Sequence, residues 1–217
     1  MSRSMKCLAT VLSSLVLMAC GGGGGGGGSG GPATPAPTPP VASLATPTLA
    51  KYEGVWRQDC DSHMRLSVTL TATNSNIFTV TPKEEHYANA DCTGAVVATG
   101  GFGKPQETVT YGATVPNASV KLQNGETIQA SIDPATSLQS VASFTFTGSG
   151  VTSTVNIDGA TLTNITYPDG SVVPVLRKAI NGETTQGGLL LRNGELLSLI
   201  PIDASTTSFQ VNHRYVR

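Results

Sequence analysis

From Lys51 onward, apolar and polar residues alternate with a period of two. Between Met64 and Ala72, Leu66, Val68 and Leu70 fall on one side, and Arg65, Ser67, Thr69 and Thr71 on the other. Phe144 and Phe146 alternate with Thr145 and Thr147, and Val151, Ser153, Val155 and Ile157 with Thr152, Thr154 and Asn156. Successive side chains of a strand point to opposite faces, so this period belongs to half-buried strands. No window long enough for a helix carries the 3.6 period. The pattern predicts an all-β domain of about ten to twelve strands between residues 52 and 216.

Turn chemistry points the same way. Asn124-Gly125 joins SVKLQ to ETIQASI, Asp158-Gly159 joins TSTVNI to ATLTNI, and Asn193-Gly194 joins LLLR to ELLSLI. Such two-residue loops supply the positive φ angles of type I′ hairpins. Pro168-Asp169-Gly170 marks a fourth turn, between Tyr167 and Val172. Four turns of this kind predict an antiparallel meander. Its free edges must be dealt with by closing as a β-barrel or packing as a β-sandwich, and both remain open. The late segment holding Asn181-Gly182 and Gly187-Gly188 reads as an irregular insertion.

The chain before the domain has a different character. Residues 20–50 are Gly-rich and then Pro/Ala/Thr-rich, the composition of a disordered linker, flexible first and stiffer later. Ahead of it, Arg3 and Lys6 precede a short apolar run from Leu8 to Met18, too short for a membrane span. That run ends in Leu17-Met18-Ala19-Cys20, which resembles the lipobox of bacterial lipoproteins. The resemblance implies that residues 1–19 are a signal peptide and that Cys20 becomes the acylated, palmitate-bearing N-terminus. Gly21 in place of Asp after that cysteine resembles outer-membrane sorting, with the periplasmic side and the cell surface both open. The organisation is therefore a signal peptide (1–19), a tethered linker (20–50) and a single β-domain (51–217), with the membrane as partner through the lipid.

Charge narrows the function. Without the signal peptide, 11 Lys and Arg face 14 Asp and Glu, leaving a net charge of −3 with no basic block. Nucleic-acid binding lacks its electrostatic footprint. The domain, residues 51–217, has no Gly-x-Ser-x-Gly, no His-Glu-x-x-His and no phosphate-binding Gly-rich loop, so no enzyme activity and no cofactor are expected.

Cys60 and Cys92 are the remaining cysteine pair. Outside the cytoplasm an isolated pair of this kind is expected to form a disulfide, since a redox pair would sit as Cys-x-x-Cys. Gly54-Val55-Trp56 near the start of the domain and Arg214 near its end resemble the lipocalin pattern. That resemblance implies a barrel whose floor is packed by Gly54, Trp56 and Arg214, with the Arg214 cation across the Trp56 indole. Two clusters could hold a metal: Asp59, Asp61 and His63, spaced by two, and Glu84, Glu85 and His86 with His213 elsewhere. The alternative is a solvated turn around Cys60 and a charged strand edge, and no metal is expected.

Three function classes follow. The first is a non-catalytic module binding a small apolar ligand, in an interior lined by residues such as Phe78, Tyr111, Phe144 and Phe146, or binding an envelope protein partner. The second is a structural or surface-interaction protein of adhesin-like character, with a filled core and an exposed apolar patch. The third is a metal-binding or hydrolytic envelope protein, which would need a pocket setting His63 or His86 against a carboxylate. Cys20→Ala is expected to abolish lipid attachment and leave unprocessed chain. Palmitate labelling checks this, and a processed, labelled variant would contradict the lipobox reading.

Overall fold

The computed structural model describes residues 49–180 and 182–217. Cys20, the signal peptide and most of the linker lie outside the described residues. Within them are fourteen strands: β1 (Gly54–Arg57), β2 (Met64–Ala72), β3 (Ile77–Tyr87), β4 (Val96–Gly101), β5 (Glu107–Tyr111), β6 (Val115–Lys121), β7 (Thr127–Gln139), β8 (Thr145–Thr147), β9 (Val151–Ile157), β10 (Ala160–Thr166), β11 (Val172–Lys178), β12 (Thr184–Arg192), β13 (Glu195–Pro201) and β14 (Ser208–Tyr215). The only helical piece among the described residues is a 3-10 turn, Leu49–Lys51. The chain is all-β, with more strands than the alternation alone predicts. The Phe144–Thr147 alternation is realised as β8.

Eight strands follow one another by antiparallel pairing, in the order β1-β2-β3-β5-β7-β12-β13-β14. The path returns on itself at one bridge. Arg57 and Val216 exchange N–H···O bonds of 2.7 Å each, placing the end of β14 beside β1. The sheet is ring-like, with a single-bridge seam in place of a continuous ladder. β6 pairs with the first half of β7 and runs parallel to the start of β14. The second half of β3 stays paired with β2 but takes β4 on its other edge in place of β5, and β4 carries β8. A separate three-stranded sheet, β11-β10-β9, completes the domain.

Three cores result. Leu49, Tyr52, Trp56, Val68, Leu70, Phe78, Val109, Tyr111, Leu196 and Tyr215 fill one end of the ring. On the opposite face of the same strands, Ile132, Leu190, Leu197, Leu199 and Phe209 pack with Ala118 and Val120 of β6. Val97, Ala98, Phe144, Phe146, Ile165, Tyr167 and Val175 join β4 and β8 to the three-stranded sheet. Strands buried on both faces lose their alternation, which is why Leu189-Leu190 in β12 and LL-x-LI in β13 are nearly continuous apolar runs. A bulge between β13 and β14 opposite Ser198 and Leu199 turns Phe209 and Val211 toward one core and His213 and Tyr215 toward the other.

The turns follow the sequence with one difference. Asp158 and Gly159, and Asn193 and Gly194, are both in the left-handed region, as type I′ turns require. At Asn124-Gly125 only Gly125 has positive φ, so that hairpin has a longer loop. Of the segment expected to be an irregular insertion, Gly187 and Gly188 lie instead in a regular strand, β12. Gly187 and Gly188 pair with Ala135 and Pro134 of β7. A Cβ at Gly187 would stand 2.5 Å from the Leu199 carbonyl oxygen, so glycine is needed there for the close approach of β13.

Cys60 and Cys92 are bonded, with a Cα–Cα distance of 5.7 Å across 32 residues of sequence. The bridge ties the turn before β2 to the turn after β3. Cys60→Ala with Cys92→Ala is expected to cost about 3–4 kcal/mol of folding stability in the chain-entropy account. Denaturant unfolding reads this, and an unchanged midpoint would contradict it.

Candidate functional site

The ring has a sealed end and a hollow one. At the sealed end Trp56, 1 % exposed, donates its Nε1–H to the Tyr52 carbonyl at 2.7 Å. The Tyr52 ring stacks on Tyr111 at 5.8 Å, and its hydroxyl donates to Asp133 at 2.5 Å. Asp133 also accepts from Thr114 Oγ1 and from the Lys51 ammonium, each at 2.6 Å. Burial pushes the Asp133 carboxyl up, but these donors outweigh it and hold the group below the usual carboxylate range. The same burial, with Asp133 alongside, pushes the Tyr52 hydroxyl far above its ordinary range.

The cation beside Trp56 is not the one that the lipocalin resemblance implied. Arg217, not Arg214, lies over the indole, with its guanidinium 4.5 Å from the ring centroid. Arg217 is steered there by donating to the Lys51 and Glu53 carbonyls. Arg214 points away and forms ion pairs with Asp59 and Glu195, each at 2.7 Å. Gly54 sits at the start of β1 with φ 112°, opposite Leu70.

Above the floor is a cavity of about 460 Å³. That is within the range of small-molecule sites, roughly 300–1,000 Å³. Its deep wall is apolar: Val68, Leu70, Phe78, Val109, Leu189 and Leu196. Along β5, away from Tyr111, and along β7, away from Asp133, the wall becomes polar through Glu107, Ser137 and Gln139. His213 of β14 joins them, bonded through Nδ1 to Gln58 at 3.1 Å. Burial holds the His213 imidazole below its ordinary range, against the pull of Glu107. Burial also pushes the Tyr215 phenol up to about 12, so it keeps its proton. Of the aromatics expected to line this interior, Phe78 does so and Tyr111 lies at the floor. Phe144 and Phe146 belong instead to the core shared with the three-stranded sheet.

That core contains a polar cluster. His86 bonds Glu84 Oε1 through Nε2 at 2.8 Å and the Tyr167 hydroxyl through Nδ1 at 2.7 Å. Arg177 donates to Glu84 Oε2 through Nη2 at 2.5 Å and Nε at 3.1 Å. Glu84, His86 and Tyr167 are each 3 % exposed. The expected charged edge is therefore a buried clamp between β3 and the sheet carrying Arg177. Burial pushes the Tyr167 hydroxyl up, with Glu84 and Asp169 adding to it. His63 packs its ring 4.1 Å from Tyr167 and bonds the Tyr87 carbonyl. The two histidines thus meet on one tyrosine. Even so, Asp59 is drawn to Arg214, Asp61 lies in a turn and His213 faces the cavity. Among the described residues no three His, Cys, Asp or Glu side chains converge as a metal needs.

Sequence reasoning passed over Glu107, Ser137 and Gln58. The signal was available for Glu107, because ETVTY places it on the same face as Val109 and Tyr111.

The buried carboxylates set the acid limit of the fold. For Glu84, burial raises the carboxyl, but hydrogen bonds from His86 and Arg177 lower it further, so the folded value lies below the unfolded one. Asp133 behaves the same way. The stability they contribute is complete above the unfolded carboxylate range, about pH 4, and is lost as pH falls through the folded values. Thermal melts should therefore fall steeply on acidification below about pH 4, and a flat profile there would contradict the account. Glu84→Ala strands Arg177 and His86 and is expected to cost about 3–5 kcal/mol. No protein-family model, curated protein or solved structure matches the chain.

Proposed function

We propose that this is an envelope lipoprotein, anchored to the outer membrane through Cys20, whose β-domain is a non-catalytic binding module. The ligand is a small apolar or amphipathic molecule held inside the ring. The observation that carries this reading is the cavity of about 460 Å³, apolar below and polar above, closed at one end by the Tyr52–Trp56–Asp133 floor. Filling such a space with side chains would have stabilised the domain. Leaving it open costs packing contacts, which a bound ligand restores. A linker of about thirty residues, part flexible and part stiff, gives the domain a reach of a few tens of ångströms from the lipid.

A second reading has its own observation. The outer face of the β9–β11 sheet aligns Val155, Leu162 and Leu176 in one cross-strand row. Val155 is 53 % exposed and Leu176 52 %, with Ile157, Val172 and Val173 also open. Among the described residues neither β9 nor β11 has a partner on its outer edge. An envelope protein partner covering that face would serve the interaction reading.

Native mass spectra of the full chain from an oxidising bacterial host distinguish the two. The cavity reading expects a small-molecule adduct. It also expects that adduct to be lost in Ala135→Phe, which places a ring in the cavity, with the thermal transition retained. A bare mass that takes up no added octanol would contradict it.

A further inference from the structure

Resting on the cavity reading, we infer that the ligand is a single-chain amphiphile with a cationic head, an alkylammonium, held head-up against Glu107. The carboxylate of Glu107 is the only acidic group on the cavity wall, and no Lys or Arg lines that wall among the described residues. One of its oxygens, Oε2, accepts from Ser137 Oγ at 2.8 Å. The other has no protein hydrogen-bond partner among the described residues, so half of the carboxylate's accepting capacity is free. The ring places Glu107 between Val80 of β3 on one side and Gln139 of β7 on the other, at the polar end of the wall that continues to Val109 and Phe78.

The charge balance selects the head. Among the described residues His213 is the only basic group on the wall. Its Nδ1 is occupied by the Gln58 amide, which leaves a neutral ring with a single N–H. A carboxylate or phosphate head entering this mouth would meet a like charge and no compensating cation. A neutral hydroxyl head would leave Glu107 without a counter-charge. An ammonium supplies both the charge and several N–H donors, to Glu107 and to the amide oxygens of Gln106 and Gln139. The apolar tail then runs down toward Leu70 and Leu189.

The test is calorimetric titration of the full chain at pH 7, carrying Cys20→Ala so that no acyl group competes for the cavity. Octylamine, octanol and octanoate share one tail and differ in head charge. Octylamine is expected to bind about tenfold more tightly than octanol, with octanoate weakest. Glu107→Gln keeps the Ser137 bond and removes the charge. It is expected to abolish the preference for octylamine while leaving octanol affinity unchanged. Octanoate binding as tightly as octylamine, or a preference that survives Glu107→Gln, overturns the inference. Octanol binding with no discrimination among heads also overturns it, and leaves the cavity reading standing. If none of the three binds, both fall.

Discussion

The Asp133 carboxylate is the point through which this fold is assembled. It is 2 % exposed and sits in the middle of β7, where the partner on one edge changes from β6 to β5. A buried carboxylate without donors would cost several kcal/mol. Here three donors reach it from separate parts of the chain: Tyr52 and Lys51 from the segment before β1, and Thr114 from the connection between β5 and β6. Satisfying one charge therefore fixes the plug of the ring, the turn beside it and the strand between them. Trp56 hangs from the Tyr52 carbonyl and Tyr111 stacks on the Tyr52 ring, so the aromatic floor inherits its position from the same carboxylate.

Given that floor, the cavity follows from the pleat. Side chains of β7 at Ala135, Ser137 and Gln139 share a face with Asp133 and rise from the floor along the ring wall. Those at Ile128, Ala130 and Ile132 face the second core. The chain uses small residues on the wall, Ala135 and Ser198, where larger ones would fill the space. The same strands thus hold a packed core on one face and an open chamber on the other.

Much of this was legible in the residues. The span Met64–Ala72 is a strand as the alternation predicts, the Asp158-Gly159 and Asn193-Gly194 hairpins are in place, and Cys60 pairs with Cys92. What was hidden is tertiary in origin. Gly187 and Gly188 look like a break in a strand until the neighbouring β13 backbone is seen to need their missing Cβ atoms. Glu84 and His86 look like a solvated edge because charge suggests exposure. Yet they share the parity of Phe78 and Val80, and the three-stranded sheet that covers them is distant in sequence. Arg214 and Arg217 are equivalent candidates for the Trp56 face on sequence alone. Carbonyl oxygens of Lys51 and Glu53 decide between them.

A ligand held inside the ring would lie close to Trp56. Trp56 is the single tryptophan, 1 % exposed, and it packs in one cluster with Val68, Leu70, Phe78 and Tyr215 of the cavity wall. External quenchers cannot touch it. Titration with an octanol brominated at the end of its tail, followed by Trp56 fluorescence, reads the interior directly. The account predicts saturable quenching that unbrominated octanol reverses. Quenching that only rises linearly with concentration and is not reversed by competitor would show that the chamber admits no ligand.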